Sequence, residues 1–286
     1  MKYLKQILML GLASLIMWGV YFIVSRQGEA STLQHASENI QESSQQSSTS
    51  PSAPGPFVAD SLQKQLQTLT DAYPMIDAGV VVLSTYDSTA SSIQGDAPFI
   101  AASTTKLLVA TYALHQVQSG VLTLNDNIAG MPLKEQITRL IVHSDNTAWY
   151  ALLDYFGYDA VTAYGKQNGA PNFDAANNIV SPEEMAAFTK NIHTNKIINQ
   201  EHAAFLETLM AQSDTGTINL SSDFSDIIRK AGWLQDRQHL VGIITANNKT
   251  VVYAIYTKSK DNSTYNYADG SAFINETLRT IVSALQ

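Results

Sequence analysis

Residues 99–118 read FIAASTTKLLVATYALHQVQ. From Ser103 onward the apolar side chains lie on nearly every face of a helix, which predicts a helix buried in the centre of a domain. Ser103 and Lys106 stand one turn apart at its predicted N-terminus, on the same face. A neighbouring amine can take the proton of a serine hydroxyl, and burial would lower the pKa of such an amine toward that of a useful base. The alternative interpretation is a helix cap followed by a surface lysine.

Strand patterns occur near both ends of the sequence. Residues 78–83 read AGVVVL, an apolar run that predicts a buried strand. Residues 240–245 and 250–256 predict two further strands, and the Asn247-Asn248 pair between them is typical of a β-hairpin turn. The strands that form the sheet are therefore expected from distant parts of the chain.

Amphipathic helices are predicted outside these strands. Leucines recur at helical spacing from Leu62 to Leu69, and an apolar stripe runs from Phe273 to Leu285. The sequence between residues 132 and 209 is mostly helical, with loops. We therefore predict an α+β fold, in which an antiparallel sheet built from both termini is flanked by the terminal helices and carries an inserted all-helical subdomain.

Composition excludes several classes of function. Of 286 residues, 45% are hydrophobic and 15% are charged, as in a globular protein, and the net charge is −8. Because no basic run could follow a phosphate backbone, nucleic-acid binding is not expected. The chain has no cysteine, which excludes disulfides, thiolate metal sites and a cysteine nucleophile. No histidine pair or acidic loop with metal-ligand spacing occurs, so neither a metal nor a cofactor is expected.

The N-terminal residues predict a membrane anchor. Residues 6–25 contain no charge and as a helix would be long enough to span a bilayer. Lys2 and Lys5 precede them, so the positive-inside rule predicts a cytoplasmic N-terminus and an extracytoplasmic catalytic domain. The alternative is a cleaved signal peptide and a secreted protein. We predict a single-pass transmembrane anchor at residues 1–26, a disordered Ser/Gln-rich linker at 27–56 and one domain at 57–286.

Two further motifs carry groups that acid–base catalysis can use. Ser144-Asp145-Asn146 precedes an apolar helix, where a second hydroxyl could pass a proton to a leaving nitrogen. Lys230 and Gly232 lie on a predicted strand that could place a cation beside the nucleophile and let a substrate backbone approach closely. Taken alone, the first motif is better interpreted as a helix cap, and the second is nearly uninformative.

In this order, Ser-x-x-Lys, Ser-Asp-Asn and Lys-x-Gly resemble the signature of the class A β-lactamase and penicillin-binding protein superfamily. The resemblance covers residues 57–286 and implies a serine hydrolase that acts on a β-lactam or a cell-wall peptide. It implies that Ser103 is the acylated nucleophile, Lys106 its activator and Ser144 a proton relay. It also implies substrate contacts from Asn146, Lys230 and Gly232, and an oxyanion hole made by the backbone N–H groups of Ser103 and Trp233.

Two positions depart from that signature. Ala231 stands where the family has a threonine whose hydroxyl helps to hold the substrate carboxylate, so weaker carboxylate recognition is expected. Residues 169–178, where the deacylating glutamate of class A enzymes should lie, contain no glutamate. Asp174 is the only acid in that loop, and Glu184 fits a capping box with Ser181 better than a catalytic role.

These departures leave two hypotheses open. The first is an enzyme that is acylated on Ser103 and releases the acyl group slowly. The second is a catalytically weak or inactive penicillin-binding-like surface protein with a binding or scaffold role. A catalytic Lys106 is expected to be buried and within hydrogen-bond distance of Ser103. The aromatic residues Tyr112, Trp149, Tyr150 and Tyr155 are predicted to belong to the core.

Overall fold

The computed structural model describes residues 59–260 and 264–286. The predicted anchor and linker therefore lie outside the described residues and stay predictions. Within the described ranges, no helix combines the length and the apolar character needed to cross a membrane.

A five-stranded sheet with strand order β2-β1-β9-β8-β7 organises the domain. Every neighbouring pair is antiparallel, which confirms the predicted sheet built from both ends of the chain. The strands are β1 (Ile76–Ser84), β2 (Ala90–Ile93), β7 (Ile228–Leu234), β8 (Arg237–Ala246) and β9 (Lys249–Ser259). Strand β7 lies at one edge, which leaves one side of its backbone open to another group.

The predicted hairpin joins β8 to β9. Asn247 and Asn248 have φ angles of 49° and 60°, the left-handed conformation that a two-residue hairpin turn requires. Asparagine tolerates this conformation better than most residues. The turn places Val241 opposite Ala254, in register along the whole hairpin.

The terminal helices cover one face of the sheet, as predicted. Helix α1 (Ala59–Ala72) packs on α8 (Tyr267–Leu285), and both contact the strands beneath them. Their apolar stripes, including Leu62, Leu66 and Leu278, form a core with Val80 and other side chains of that face of the sheet. Burial of these stripes provides most of the stability of such helices.

The helical subdomain forms a second core on the other face. Its helices are α2 (Lys106–Gln118), α3 (Leu133–Val142), α4 (Asn146–Phe156), α5 (Tyr158–Gln167), α6 (Pro182–His193) and α7 (Gln200–Ala211). Helix α2 is buried from Lys106 to Leu114 apart from Tyr112, which confirms the predicted central helix. The described residues thus contain eight α-helices and an antiparallel sheet, the predicted α+β architecture.

The structure refines the start of the central helix. Residues Ala102–Thr105, which include Ser103, form a short 3₁₀ helix, and the α-helix begins only at Lys106. Short strand pairs β3 (Phe99–Ile100) with β6 (Ile179–Val180), and β4 (Asn127–Ile128) with β5 (Met131–Pro132), lie outside the main sheet. The β3–β6 pair joins the segment before Ser103 to the loop that follows α5.

Candidate active site

Ser103 lies where the 3₁₀ helix packs against the edge strand β7. A Cβ atom at Gly232 would lie 2.8 Å from the backbone nitrogen of Ser103 and 2.9 Å from the carbonyl oxygen of Ala101. Such distances are shorter than normal contacts, so only glycine permits this packing. The close approach that we predicted for a substrate backbone at Gly232 is made in this structure by the nucleophile segment itself.

The turn that presents Ser103 is held by Asn178. Ala102 has a φ of 51°, a conformation that costs free energy in a residue other than glycine. Asn178 Nδ2 donates to Ala102 O over 2.9 Å, and Asn178 Oδ1 accepts from Thr105 Oγ1 over 2.5 Å. One amide side chain therefore bridges the two ends of the 3₁₀ helix.

The other side of the same turn is bonded to the sheet. Thr104 Oγ1 donates to Ala101 O over 2.8 Å and lies 2.5 Å from the hydroxyl of Tyr256 on β9. Tyr256 stacks on His239, whose Nε2 lies 3.0 Å from Ile100 O. These groups are buried, so the nucleophile is attached to the rigid interior of the domain.

Lys106 is buried, with 2% of its surface exposed. Its Nζ donates to Ser144 O and, over 2.8 Å, to Asn146 Oδ1, and lies 3.4 Å from Ser144 Oγ. The expectation of burial is confirmed. The hydrogen-bond expectation is not met, because within the described ranges no hydrogen bond joins Lys106 to Ser103 and the lysine is held by the Ser-Asp-Asn motif.

Lys230 approaches the same hydroxyl from β7. Its side chain is fully buried, and Nζ donates to Ser144 Oγ over 3.0 Å and to Ala231 O over 3.0 Å. Ser144 Oγ thus lies between two lysine amines. The structure brings together Lys106, Ser144 and Lys230, which are far apart in the sequence.

Both amines have pKa values in the range where catalysis at neutral pH operates. Loss of solvent lowers the pKa of Lys106 to about 8, partly offset by the negative charge of Asp145. Loss of solvent, with repulsion from Lys106, lowers the pKa of Lys230 to about 7, and the negative charge of Asp214 opposes this shift. Each lysine therefore exchanges its proton near neutral pH rather than near pH 10.

The Ser-Asp-Asn motif is shaped by a helix cap. Ser144 has a φ of 54°, and Asp145 is the N-cap of α4, accepting from the backbone nitrogens of Thr147 and Ala148. The cap fixes the turn, which points the Ser144 carbonyl and the Asn146 amide at Lys106. The capping interpretation and the catalytic interpretation of this motif are therefore both consistent with the structure.

A cavity of about 330 Å³ opens over these groups. The predicted residues Ser103, Lys106, Ser144, Asn146 and Trp233 line it, whereas Lys230 and Gly232 do not. A larger cavity of about 960 Å³ lies between α1 and the end of β9, and none of the predicted site residues lines it. The smaller cavity is therefore the candidate active site, because the predicted nucleophile and acid–base groups line it.

Trp149 packs on the core as predicted and also lines the cavity, whereas three other lining residues were missed or misinterpreted from the sequence. Trp149 and Tyr150 line it, one turn after Asn146, and Tyr150 is 57% exposed, so our assignment of Tyr150 to the core is wrong. Their i+3 and i+4 spacing from Asn146 was a signal that could have found them. Asn178 and Asp214 also line the cavity, and no local pattern marks either.

Of the two remaining aromatic residues predicted to lie in the core, one does and one does not. Tyr112 is only partly exposed and packs on the core beside Tyr164 and Phe156, as predicted. Tyr155 is 54% exposed, so its assignment to the core is wrong. It lies on the outward face of α4, which the apolar character of that segment did not reveal.

The edge strand carries Trp233 beside the nucleophile. Its indole packs on Gly216, where a Cβ atom would lie 2.4 Å from the ring. Trp233 lines the cavity. The predicted oxyanion hole, made of the backbone N–H groups of Ser103 and Trp233, stays a prediction.

The carboxylates of Asp174 and Glu184 are both engaged in hydrogen bonds with neighbouring groups. The carboxylate of Asp174 accepts from the backbone and the side chain of Asn177, and these bonds hold its pKa below the usual range. Glu184 completes the predicted capping box with Ser181 and also accepts from the backbone nitrogen of Asn172. The amide of Asn178 is the group that this loop presents to the cavity.

Solved structures with the same fold include enzymes that act on β-lactams. A mutant of PBP-A, solved as an acyl-enzyme complex with penicillin G, is 22% identical with a TM-score of 0.70, over 79% of this chain and 96% of that chain. A beta-lactamase from Chitinophaga pinensis is 18% identical with a TM-score of 0.71, over 79% of this chain and all (100%) of that chain.

The TLA-3 extended-spectrum beta-lactamase is 18% identical with a TM-score of 0.68, over 79% of this chain and 99% of that chain. At these identities the similarity shows the fold. No curated protein matches the chain. A family model described as the beta-lactamase enzyme family matches residues 61–285. Since that match spans the whole sheet and the helical subdomain, the chain belongs to the beta-lactamase enzyme family.

Proposed function

We propose that the protein is a serine hydrolase that forms an acyl-enzyme on Ser103 with a β-lactam or a cell-wall peptide. One observation carries the proposal: the hydroxyl of Ser144 is held between two buried amines, Lys106 and Lys230, in the cavity that Ser103 lines. Burying two lysines costs stability, and a structural role would not require both to meet one hydroxyl.

The arrangement supports activation of Ser103 by Lys106 during acylation. When neutral, its two N–H groups satisfy Ser144 O and Asn146 Oδ1, which leaves the nitrogen lone pair for the hydroxyl of Ser103. Rotation of the Ser103 side chain toward Nζ would let Lys106 take the proton as Ser103 Oγ attacks the carbonyl carbon. The backbone N–H groups of Ser103 and Trp233 would stabilise the oxyanion.

Ser144 would then complete the first half of the reaction. Its hydroxyl donates a proton to the leaving nitrogen as the carbon–nitrogen bond breaks, and it regains a proton from the adjacent lysine. Lys230 keeps the Ser144 hydroxyl oriented through its 3.0 Å hydrogen bond. The product is an ester on Ser103 and a free amine.

Hydrolysis of that ester should be slow. It needs a base on the attacking water, and such a base contributes about 10²- to 10⁴-fold in rate. The loop beside Ser103 presents the amide of Asn178, and Asp174 is bonded to Asn177. Lys106 is the remaining group that could serve.

Covalent labelling tests the proposal. The full-length protein is incubated with a fluorescent penicillin, and the intact mass is measured. We expect one adduct per chain, lost in Ser103→Ala. Ser61→Ala is a matched control, because Ser61 and Lys64 repeat the same Ser-x-x-Lys spacing on the exposed face of α1. Unlabelled wild-type protein would refute the proposal.

A second candidate function is a binding or scaffold role without turnover, which Ala231 and the absence of glutamate from residues 169–178 favour. In that case penicillin would bind reversibly, and no mass change would accompany saturation. Denaturation before gel analysis separates the two outcomes, since only an ester survives it.

We also propose that the domain acts outside the cytoplasm, tethered through residues 1–26. Support comes from the uncharged run at residues 6–25 behind Lys2 and Lys5. Cell fractionation with protease added to intact protoplasts tests this: the domain should sediment with membranes and be degraded from outside. A smaller form in the medium would indicate cleavage instead, and protection from the protease would refute the proposed topology.

A further inference from the structure

We propose that Asp214 makes this site select acyl donors whose group beside Asp214 is neutral or cationic, and disfavour donors that carry a carboxylate there. The inference rests on the proposed function, because it assigns the substrate class of the same site.

The position of Asp214 is determined by the end of α3. Its backbone nitrogen donates to Val142 O over 2.8 Å, and the hydroxyl of Ser213 donates to Ile141 O over 3.0 Å. Val142 lies two residues before Ser144. These bonds hold Asp214 against the segment that carries the proton relay.

The carboxylate of Asp214 is held by the turn that follows it. Oδ1 accepts from the backbone nitrogen of Gly216 over 2.8 Å, and the residue is exposed and lines the same cavity as Ser103. Gly216 is in turn covered by the indole of Trp233. The turn therefore holds a carboxylate on a residue that lines the same cavity as Ser103.

That charge already compensates Lys230. Asp214 is close enough to favour the protonated form of the Lys230 amine, which donates to Ser144 Oγ and Ala231 O. Lys106 is similarly committed to Ser144 and Asn146. Among the described residues that line the cavity, none is an arginine. His143 also lines the cavity. An incoming carboxylate would find both lysine amines already bonded to protein oxygens and would be repelled by Asp214.

The rest of the cavity wall does not supply another group that could bind a carboxylate. Ala231 is fully buried in the core and carries no hydroxyl that could bind a carboxylate. The cavity is instead bounded by the aromatic side chains of Trp149, Tyr150 and Trp233. Aromatic faces beside a carboxylate suit an ammonium or an uncharged amide. The chemistry points to internal peptide amides or amine-bearing acyl donors rather than chain-terminal carboxylates.

Two acyl donors that differ by one charge test the inference: penicillin G, which carries a free carboxylate, and its methyl ester. Acylation rates are measured on the full-length protein at pH 6, below the pKa of about 7 of Lys230 in the wild type. In Asp214→Asn, we expect the acid-to-ester rate ratio to rise about fivefold. Asp71→Asn is the matched control, because it removes the same charge from the exposed end of α1.

Ionic strength provides a test without a variant. Since the repulsion acts through solvent at an exposed residue, raising the salt concentration from 0.05 to about 0.5 M should raise the wild-type rate with penicillin G relative to the ester. An unchanged ratio in Asp214→Asn, with both donors still acylating Ser103, would overturn the inference and leave the proposed function intact. Failure of both donors to acylate Ser103 would refute the proposed function and the inference with it.

Discussion

Replacing Lys230 with methionine should change how stability depends on pH. Lys230 is fully buried, and its pKa falls from an ordinary value of 10.5 to about 7 on folding. Between these two values the unfolded chain binds more protons than the folded one, so the free energy of unfolding rises with pH. Below pH 7 the buried ammonium destabilises the folded state by its full amount.

The size of the effect follows from the two pKa values. Raising the pH from 7 to 9 should increase the free energy of unfolding by about 2 kcal/mol through Lys230. Lys106, with a pKa of about 8, adds about 1 kcal/mol over the same range. The pH must stay below about 10, because burial raises the pKa values of Tyr253 and Tyr256 and would reverse the trend when unfolded tyrosines ionise.

Urea denaturation at pH 7, 8 and 9, followed by tryptophan fluorescence, measures this slope. The wild type should gain stability over the range, and Lys230→Met should lose about two thirds of the gain. Lys64→Met, at an exposed position of α1, controls for the loss of one positive charge. Equal slopes in wild type and Lys230→Met would show that the amine is not desolvated and would refute the reasoning.

Three further predictions concern the nucleophile segment, and one concerns the loop. The rate of acylation of Ser103 should rise with pH with a midpoint near pH 8, because only about a tenth of Lys106 is neutral at pH 7. A stopped-flow pH profile with a midpoint near pH 10 would contradict this prediction. Asn178→Ala should slow acylation about tenfold and lower the free energy of unfolding by about 2 kcal/mol, because it removes two hydrogen bonds. Asn178→Gly removes the same bonds but keeps the φ of 54° accessible, so comparing the two variants separates the effect of the lost side chain from that of backbone strain. Gly232→Ala should slow acylation at least about tenfold in the same assay, because its Cβ would displace the 3₁₀ helix, and a wild-type rate would contradict the packing. Asp174→Asn should leave the lifetime of a penicillin adduct within about twofold, since the carboxylate is bonded to Asn177; a tenfold longer lifetime by mass spectrometry would identify it as the deacylation base.

Local patterns in the sequence were enough to predict most of the fold. Alternation and apolar runs located β1, β8 and β9, and the Asn247-Asn248 pair identified the turn between the last two. The all-round apolar character of α2 predicted the burial of Lys106. These features depend on the periodicity of side chains along a single element, which a linear sequence expresses directly.

Elements that depend on turn geometry were predicted less well. The 3₁₀ start of the central helix depends on the left-handed φ of Ala102, which alanine does not favour by itself. Asn178, in a loop far along the chain, donates one hydrogen bond and accepts another, and these two bonds hold the ends of that turn. Exposure of Tyr150 and Tyr155 likewise depends on which side of α4 meets the core.

The sequence by itself determined the α+β architecture, the buried helix that carries Lys106, and the cap that precedes α4. Only the tertiary structure decided that the hydroxyl of Ser144 lies between Lys106 and Lys230, and that Asp214 faces the same cavity. The physical reason is distance along the chain: hydrophobic periodicity specifies each helix and strand, but the contacts that lower a pKa or orient a hydroxyl form between elements, once packing has brought them together and excluded water.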